Sequence, residues 1–147
     1  MISVQTADFD PGAELEQLRL QNHGRAGAVV SFTGLVRDLN DGEKISRMTL
    51  EHYPGMTEQV LADLEREART RWELTATLII HRVGPLAPDD RIVFVAAASA
   101  HRKQAFLACE YLIDNLKTRA PFWKKEATPD GERWVAATPE GESGPKR

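Results

Sequence analysis

A single cysteine, Cys109, is all the thiol this chain has. That excludes an intrachain disulfide and any zinc site built from several thiolates, and it confines a thiol mechanism to one side chain. Long apolar runs are missing as well. The longest, Ile92 to Ala98, is far too short to span a bilayer, and the opening Met1-Ile-Ser-Val-Gln-Thr carries neither a basic region nor an apolar stretch. A soluble, cytoplasmic protein with no membrane partner is expected. Aromatic residues make up only 7% of the chain and the isoelectric point is about 5.8. Nucleic-acid surfaces need a basic face with stacking residues, so no nucleic-acid partner is expected either. His23, His52 and His81 show no metal-ligand spacing with one another or with the acids, so no metal is assigned and no cofactor is called for.

What the chain does have is a local excess of positive charge. From His101 to Lys125 there are six Lys/Arg (Arg102, Lys103, Lys117, Arg119, Lys124, Lys125) against two acids (Glu110, Asp114), a balance of +4. The whole chain is at −3, so everything else sums to −3 − 4 = −7. Like charges held close together repel, and they persist where something anionic sits among them. A small anionic ligand is the first hypothesis.

A length of 147 residues suits one domain with a real core. We read a single domain over 1–137 and a flexible tail, rich in Pro, Gly and Glu, from Thr138 to Arg147. Ile2 to Gln5 reads as a strand. Asp10 followed by Pro11 starts a short helix ending near Asn22. Ala28 to Val36 alternates as a strand running into Arg37, Asn40-Asp41-Gly42 supplies a turn, and Ser46 to Tyr53 alternates again until Pro54-Gly55. Thr57 to Arg71 carries the apolar stripe Val60, Leu61, Leu64 and Ala68. Leu74 to Val83 and Arg91 to Ser99 are strands joined by a proline-stiffened loop, and the second is apolar enough to be buried on both faces. A helix from Ala100 to about Lys117 ends at Pro121. Strands at Phe122 to Ala127 and Arg133 to Ala137 flank Pro129-Asp130-Gly131. The order β-α-ββ-α-ββ-α-ββ indicates an α+β domain with three main helices and a mostly antiparallel sheet.

Several residues can carry chemistry. Ser99 reads as an N-cap, which puts His101, Arg102 and Lys103 in the first helical turn, where cations oppose the helix dipole. Either they converge with free backbone N–H groups on a phosphate or carboxylate, or they point to solvent. Lys117 and Arg119 complement the other end of the dipole and need no function on that count alone. Either alternation puts Lys124 on one face with Phe122 and Glu126 and Lys125 on the other, or an exposed strand carries the two as a solvated charge pair. Gly34 marks either a close backbone approach or a bulge. Cys109 lies on the apolar stripe with Phe106, Leu112 and Ile113, as a buried inert thiol would. Trp72, Trp123 and Trp134 read as core or interface aromatics.

Five motifs in order then carry a resemblance: Val30-Ser-Phe-Thr-Gly-Leu-Val-Arg37, Leu50-Glu-His-Tyr-Pro-Gly-Met-Thr57, Ile80-His-Arg-Val-Gly84, Ser99-Ala-His-Arg102, and Leu116-Lys-Thr-Arg-Ala-Pro-Phe-Trp-Lys124 with Glu126-Ala-Thr-Pro129. The chain resembles the catalytic (large) subunit family of molybdopterin synthase from about Ala26 to Val135. The resemblance implies an α/β-hammerhead-type fold and a homodimer that binds one small ubiquitin-like sulfur-carrier subunit at each end of a heterotetramer. The carrier's C-terminal thiocarboxylate supplies sulfur to cyclic pyranopterin monophosphate, and two transfers give the dithiolene of molybdopterin in molybdenum cofactor biosynthesis. By resemblance, Leu35, Val36, Arg37, His101 and Arg102 hold the phosphate and pterin. Lys117 and Lys124 are catalytic, with Lys125 and Glu126 beside them in the substrate site. The sulfur arrives on the partner, so cations are needed rather than a cysteine. Some relatives carry a basic residue just after the Trp-Val-x-Ala strand, directed at the neighbouring protomer's site, where this chain has Thr138. The alternative reading, a non-catalytic homodimer that binds a phosphorylated small molecule, needs the anion cluster but not Lys117 and Lys124.

Overall fold

The computed structural model describes residues 1–40, 42–44 and 46–136. Asp41 of the Asn40-Asp41-Gly42 turn and the tail read from Thr138 lie outside them. The chain runs β1 (Ile2–Gln5), α1 (Pro11–Gln21), β2 (Ala28–Leu35), β3 (Leu39–Asn40), β4 (Glu43–Lys44), β5 (Arg47–His52), α2 (Met56–Arg71), β6 (Ala76–Arg82), β7 (Gly84–Leu86), β8 (Arg91–Ser99), α3 (Arg102–Arg119), β9 (Phe122–Thr128) and β10 (Gly131–Ala136). One four-stranded sheet has the order β1-β6-β8-β2, and a second has β10-β9-β5-β7. Every pairing is antiparallel except β1 with β6. The fold is α+β, with three helices among the described residues.

Strand β8 explains the layering. Its side chains alternate faces: Val93, Val95 and Ala97 pack with Leu61 and Leu64 of α2 and Leu112 and Leu116 of α3. Phe94 and Ala96 pack on the opposite side with Phe9 and with Leu18 of α1. The first sheet is therefore covered on both faces, which is why β8 reads as an almost unbroken apolar run. A smaller cluster of Val36, Met48, Leu50 and Leu86 fills the inner face of the second sheet. Val83 and Ile92 touch both this cluster and the larger one, joining the two sheets.

Local chemistry fixes the helix starts. The Asp10 carboxylate accepts from Gly12 N at 3.0 Å and Ala13 N at 3.3 Å, with Pro11 leading α1. Gly55 precedes α2 at φ 89°, a left-handed conformation that favours glycine, and its N–H donates to Glu58 Oε1 at 2.7 Å.

Three readings need correction. Ser99 is not the cap of α3. Its hydroxyl donates to the Glu73 carbonyl at 2.7 Å and accepts from His101 N at 3.2 Å, which keeps it buried at the end of β8. After Ser99 the chain bends at Ala100 and His101, the true N-cap, and the helix begins at Arg102 rather than Ala100. The Gly84 to Asp90 segment is not wholly loop, because Gly84–Leu86 pairs with β5 as an edge strand; a proline is tolerated there because an edge strand leaves some N–H positions unused. Short pairing also surrounds the Asn40-Asp41-Gly42 turn, between Leu39–Asn40 and Glu43–Lys44. Gly34 serves both of its expected purposes: the ladder register shifts between Gly34 and Leu35, and a Cβ there would lie 2.7 Å from Val93 Cγ1.

Gly27 sits against the turn that leads into α3, with its N–H on the Ser99 carbonyl at 2.9 Å. A Cβ at this position would come 2.3 Å from the Ala100 carbonyl oxygen, a backbone atom that cannot swing aside. Gly27→Ala is expected to destabilise the protein by about 1–3 kcal/mol, as overpacking does, read from urea-unfolding midpoints; a wild-type midpoint would show that the α3 entry can shift freely.

Candidate active site

Helix α3 runs back along the first sheet, so its last turn lies beside the start of β8 and the end of β2, where Leu116 packs with Val93 and Phe122. Lys117 sits in that last turn. Its neighbour Arg119 is committed elsewhere, donating from Nη1 and Nη2 to the two oxygens of Glu67 on α2 at 2.8 and 2.9 Å. Among the described residues no hydrogen bond or ion pair engages Lys117. Its charge is nevertheless felt by His81 on β6, a buried imidazole stacked on Phe122 at 3.8 Å between centroids. Nδ1–H of His81 donates to the Arg82 carbonyl at 2.9 Å. Burial first, outweighing the hydrogen bond to Arg82, and after it the charge of Lys117 push its pKa down to about 4. A neutral ring thus lies behind the lysine.

Strand β9 brings Lys124 to the same end. Phe122, Lys124 and Glu126 share the inner face of the second sheet, opposite His52, Leu50 and Met48 of β5. The Lys124 side chain is 15% exposed, and its Nζ is 3.9 Å from Glu126 Oε2. Glu126 is buried and also accepts from Arg133 Nε at 3.0 Å. A carboxylate so enclosed orients its cations and is poorly placed to meet a substrate directly. Arg37 is exposed just past Val36, whose side chain packs on Leu50, the strand partner of Lys124. Leu35 is exposed beside it.

Not every candidate gathers there. Val36 is buried, its N–H donates to the Asp90 carbonyl at 3.0 Å, and its carbonyl accepts from Asp89 at 2.7 Å. That backbone is already paired. Lys125 points to the outer face of β9, 3.4 Å from Glu132 and over the Trp134 ring at 5.4 Å. It is separated from Lys124 by the sheet itself. His101 and Arg102 lie at the opposite end of α3 from Lys117, about 22 Å away along the axis at 1.5 Å per residue. His101 borders a cleft of about 970 Å³ lined also by Arg69, Arg71, Trp72, Glu73 and Gln104. Cys109 is in neither place. It is buried in the core with its Sγ 3.7 Å from the Val95 carbonyl, and burial pushes its pKa up to about 11. Among the described residues no group of three or more His, Cys, Asp or Glu is placed to hold a metal ion.

Sequence reasoning missed His81, Arg133 and Thr57 as parts of this region. His81 and Thr57 fall inside two of the motifs quoted above, but only the packing of β6 and α2 against Phe122 and Pro121 reveals a reason for them. Arg133 gave no signal, since its role depends on the β9–β10 register that sets it opposite Glu126.

The family described as MoaE protein matches residues 4–119. A molybdopterin synthase catalytic subunit from Escherichia coli K12 is 56% identical over 146 residues, covering 99% of this chain and 96% of the relative. A second, from Ralstonia nicotianae, is 58% identical over 136 residues, covering 92% of this chain and 77% of the relative. The solved structure of a molybdopterin biosynthesis MoaE protein from Burkholderia ambifaria superposes with a TM-score of 0.83 at 50% identity, over 97% of this chain and 93% of that one.

His81 gives this region a pH signature. The unfolded chain takes up the proton near the ordinary value of 6.5 and the folded chain only near 4, so between those values the unfolded state holds more protons. Stability is then fully present above about pH 6.5 and falls as the pH drops towards 4, by about 3 kcal/mol at most. His81→Gln is expected to flatten this part of the curve, measured as urea midpoints at a series of pH values; an unchanged slope in the folded variant would contradict the assignment.

Proposed function

The chain belongs to the MoaE family, and from that premise we propose that it is the catalytic subunit of a molybdopterin synthase. It transfers sulfur from the C-terminal thiocarboxylate of a small ubiquitin-like carrier subunit to cyclic pyranopterin monophosphate, forming the dithiolene of molybdopterin. The working unit is a homodimer of this chain with a carrier at each end, acting in the cytoplasm, each chain a single domain over 1–137. No helix among the described residues is long and apolar enough to cross a membrane.

The observation that carries this reading is the division of labour between lysines and cysteine. Lys117 lies in the last turn of α3 and Lys124 on β9, which follows that helix after two residues, while the one thiol is buried and held protonated in the core. Such a site handles sulfur that arrives already activated on a partner. An ammonium beside the thiocarboxylate balances its charge; once the sulfur is bonded to the substrate carbon, the same group stabilises the oxyanion that develops as water attacks the acyl carbon, breaking its C–S bond so that the sulfur stays on the substrate and the carrier leaves as a carboxylate. Lys117 takes the first role in this proposal, because no ion pair among the described residues competes for it. Lys124 is held by Glu126, itself fixed by Arg133, and so acts from a defined position. Lys125 and Glu126 support this site from the outer face and from beneath it, without touching substrate.

His101 and Arg102 are too far along α3 to serve the same substrate as Lys117 of their own chain. In the proposed homodimer they reach the site of the neighbouring protomer, where with Arg37 they hold the phosphate. Charge-assisted hydrogen bonds of this kind contribute roughly 1.5–3 kcal/mol each.

Two experiments test the proposal. Single-turnover transfer from thiocarboxylated carrier is expected to fall about 10²–10³-fold in Lys117→Ala, the usual cost of one lost electrostatic donor. Cys109→Ala should retain it while losing on the order of 1 kcal/mol of stability. The opposite pattern in folded proteins would mean that this enzyme carries sulfur on its own thiol. For the shared site, co-expression of Lys117→Ala with Arg102→Ala chains should recover activity that neither homodimer has, since one site of the mixed dimer is intact. Failure to recover it in a verified mixed dimer would place both groups in one protomer's site.

A further inference from the structure

We propose that Thr57 is a positioning residue for the sulfur-transfer site: its hydroxyl fixes the Pro121 carbonyl, and with it the bend that sets Lys117 against Lys124. The inference rests on the function proposed above. The two lysines lie on different elements, one in the last turn of α3 and one on β9, and only Ala120 and Pro121 separate those elements. Their relative position is therefore set by how this short connector turns.

The connector has few means of holding itself. Pro121 has no N–H to donate. Ala120 N–H closes the helix onto the Leu116 carbonyl at 3.1 Å, and Phe122 N–H turns back to the Ala120 carbonyl at 3.0 Å. The Pro121 carbonyl is bonded from outside, by Thr57 Oγ1 at 3.1 Å. The same hydroxyl oxygen accepts the Tyr53 N–H at 3.0 Å, and Thr57 N–H reaches back to the Tyr53 carbonyl at 2.9 Å. Tyr53 directly follows His52, the β5 residue paired with Phe122 at the start of β9. One completely buried side chain thus ties together the end of β5, the first turn of α2 and the bend between the lysines.

Threonine is suited to this. A hydroxyl donates once and accepts at the same time, as the two bonds require, and branching at Cβ restricts the rotamer that aims it. Valine has the same shape without the hydroxyl, and it would leave the Pro121 carbonyl and the Tyr53 N–H without their partner. The loss falls on the peptide between the two lysines, so it acts on their separation more than on the phosphate contacts proposed for Arg37 and Arg102.

Steady-state transfer, with thiocarboxylated carrier and cyclic pyranopterin monophosphate, separates this role from a merely structural one. Thr57→Val is expected to lower kcat by up to about 10²-fold, the scale of a small misplacement of reacting groups, while KM for the pterin and the circular-dichroism spectrum stay at wild-type values. Thr57→Ser, which keeps the hydroxyl, is expected to restore kcat. A folded Thr57→Val enzyme with wild-type kcat overturns the proposal, and so does a Thr57→Ser enzyme as slow as the valine variant. Should Thr57→Val not fold, Thr57→Ser against Thr57→Ala poses the same question. Wild-type protein in the same assay keeps the premise separate: no transfer there would overturn the proposed function itself, whereas transfer by wild type and equally by Thr57→Val would overturn only the positioning role.

Discussion

Strand β8 has no side that faces water, and the rest of the molecule is arranged around meeting that condition. Its odd-numbered residues from Val93 to Ala97 need a cover of helices, and its even-numbered ones need another. Helices α2 and α3 provide the first and α1 the second. Because α3 follows β8 directly in the chain, it can cover the strand only by folding back along it. The return path carries the last turn of α3 to the edge where β2 ends and β9 begins. Lys117 is delivered to that edge by a packing requirement, and Lys124 by the strand that continues from it.

The charges are sorted by the same geometry. Of the cations concentrated between His101 and Lys125, Arg119 is tied to Glu67 and Lys125 to Glu132, and both serve the structure. Lys124 is steadied by a buried carboxylate shared with Arg133. Behind them lies His81, an imidazole that burial keeps neutral, so that no further positive charge is added next to Lys117. A buried carboxylate beneath one lysine and a neutral ring behind the other are the opposite of a symmetric basic patch. They give the two lysines different surroundings and so suit them to different tasks.

Local signals in the sequence were sufficient wherever the cause is local. Pro11 after Asp10, Gly55 before α2, the two-residue alternation of β2 and β5 and the apolar stripe of α2 each act within a few residues, and each appears in the structure where it was read. Cys109 was legible too, from its spacing to Leu112 and Leu116, although Phe106, read on the same stripe, is exposed. The readings that failed depended on a distant partner. Ser99 looks like a helix cap until the Glu73 carbonyl claims its hydroxyl, and Gly84–Leu86 looks like loop until β5 pairs with it.

By itself, then, the sequence determined the fold class, most of the helices and strands, and the family, because those follow from periodicity, turn chemistry and motifs several residues long. It also marked the cations as unusual, since charge balance needs no coordinates. Only the tertiary structure decided which of them meet. Strand alternation separates Lys125 from Lys124 by one residue and a whole sheet, and the length of α3 separates Arg102 from Lys117 although both belong to one helix. The bond from Thr57 to Pro121 joins residues far apart in the chain. Proximity of that kind is a consequence of packing, and no local pattern in the chain encodes it.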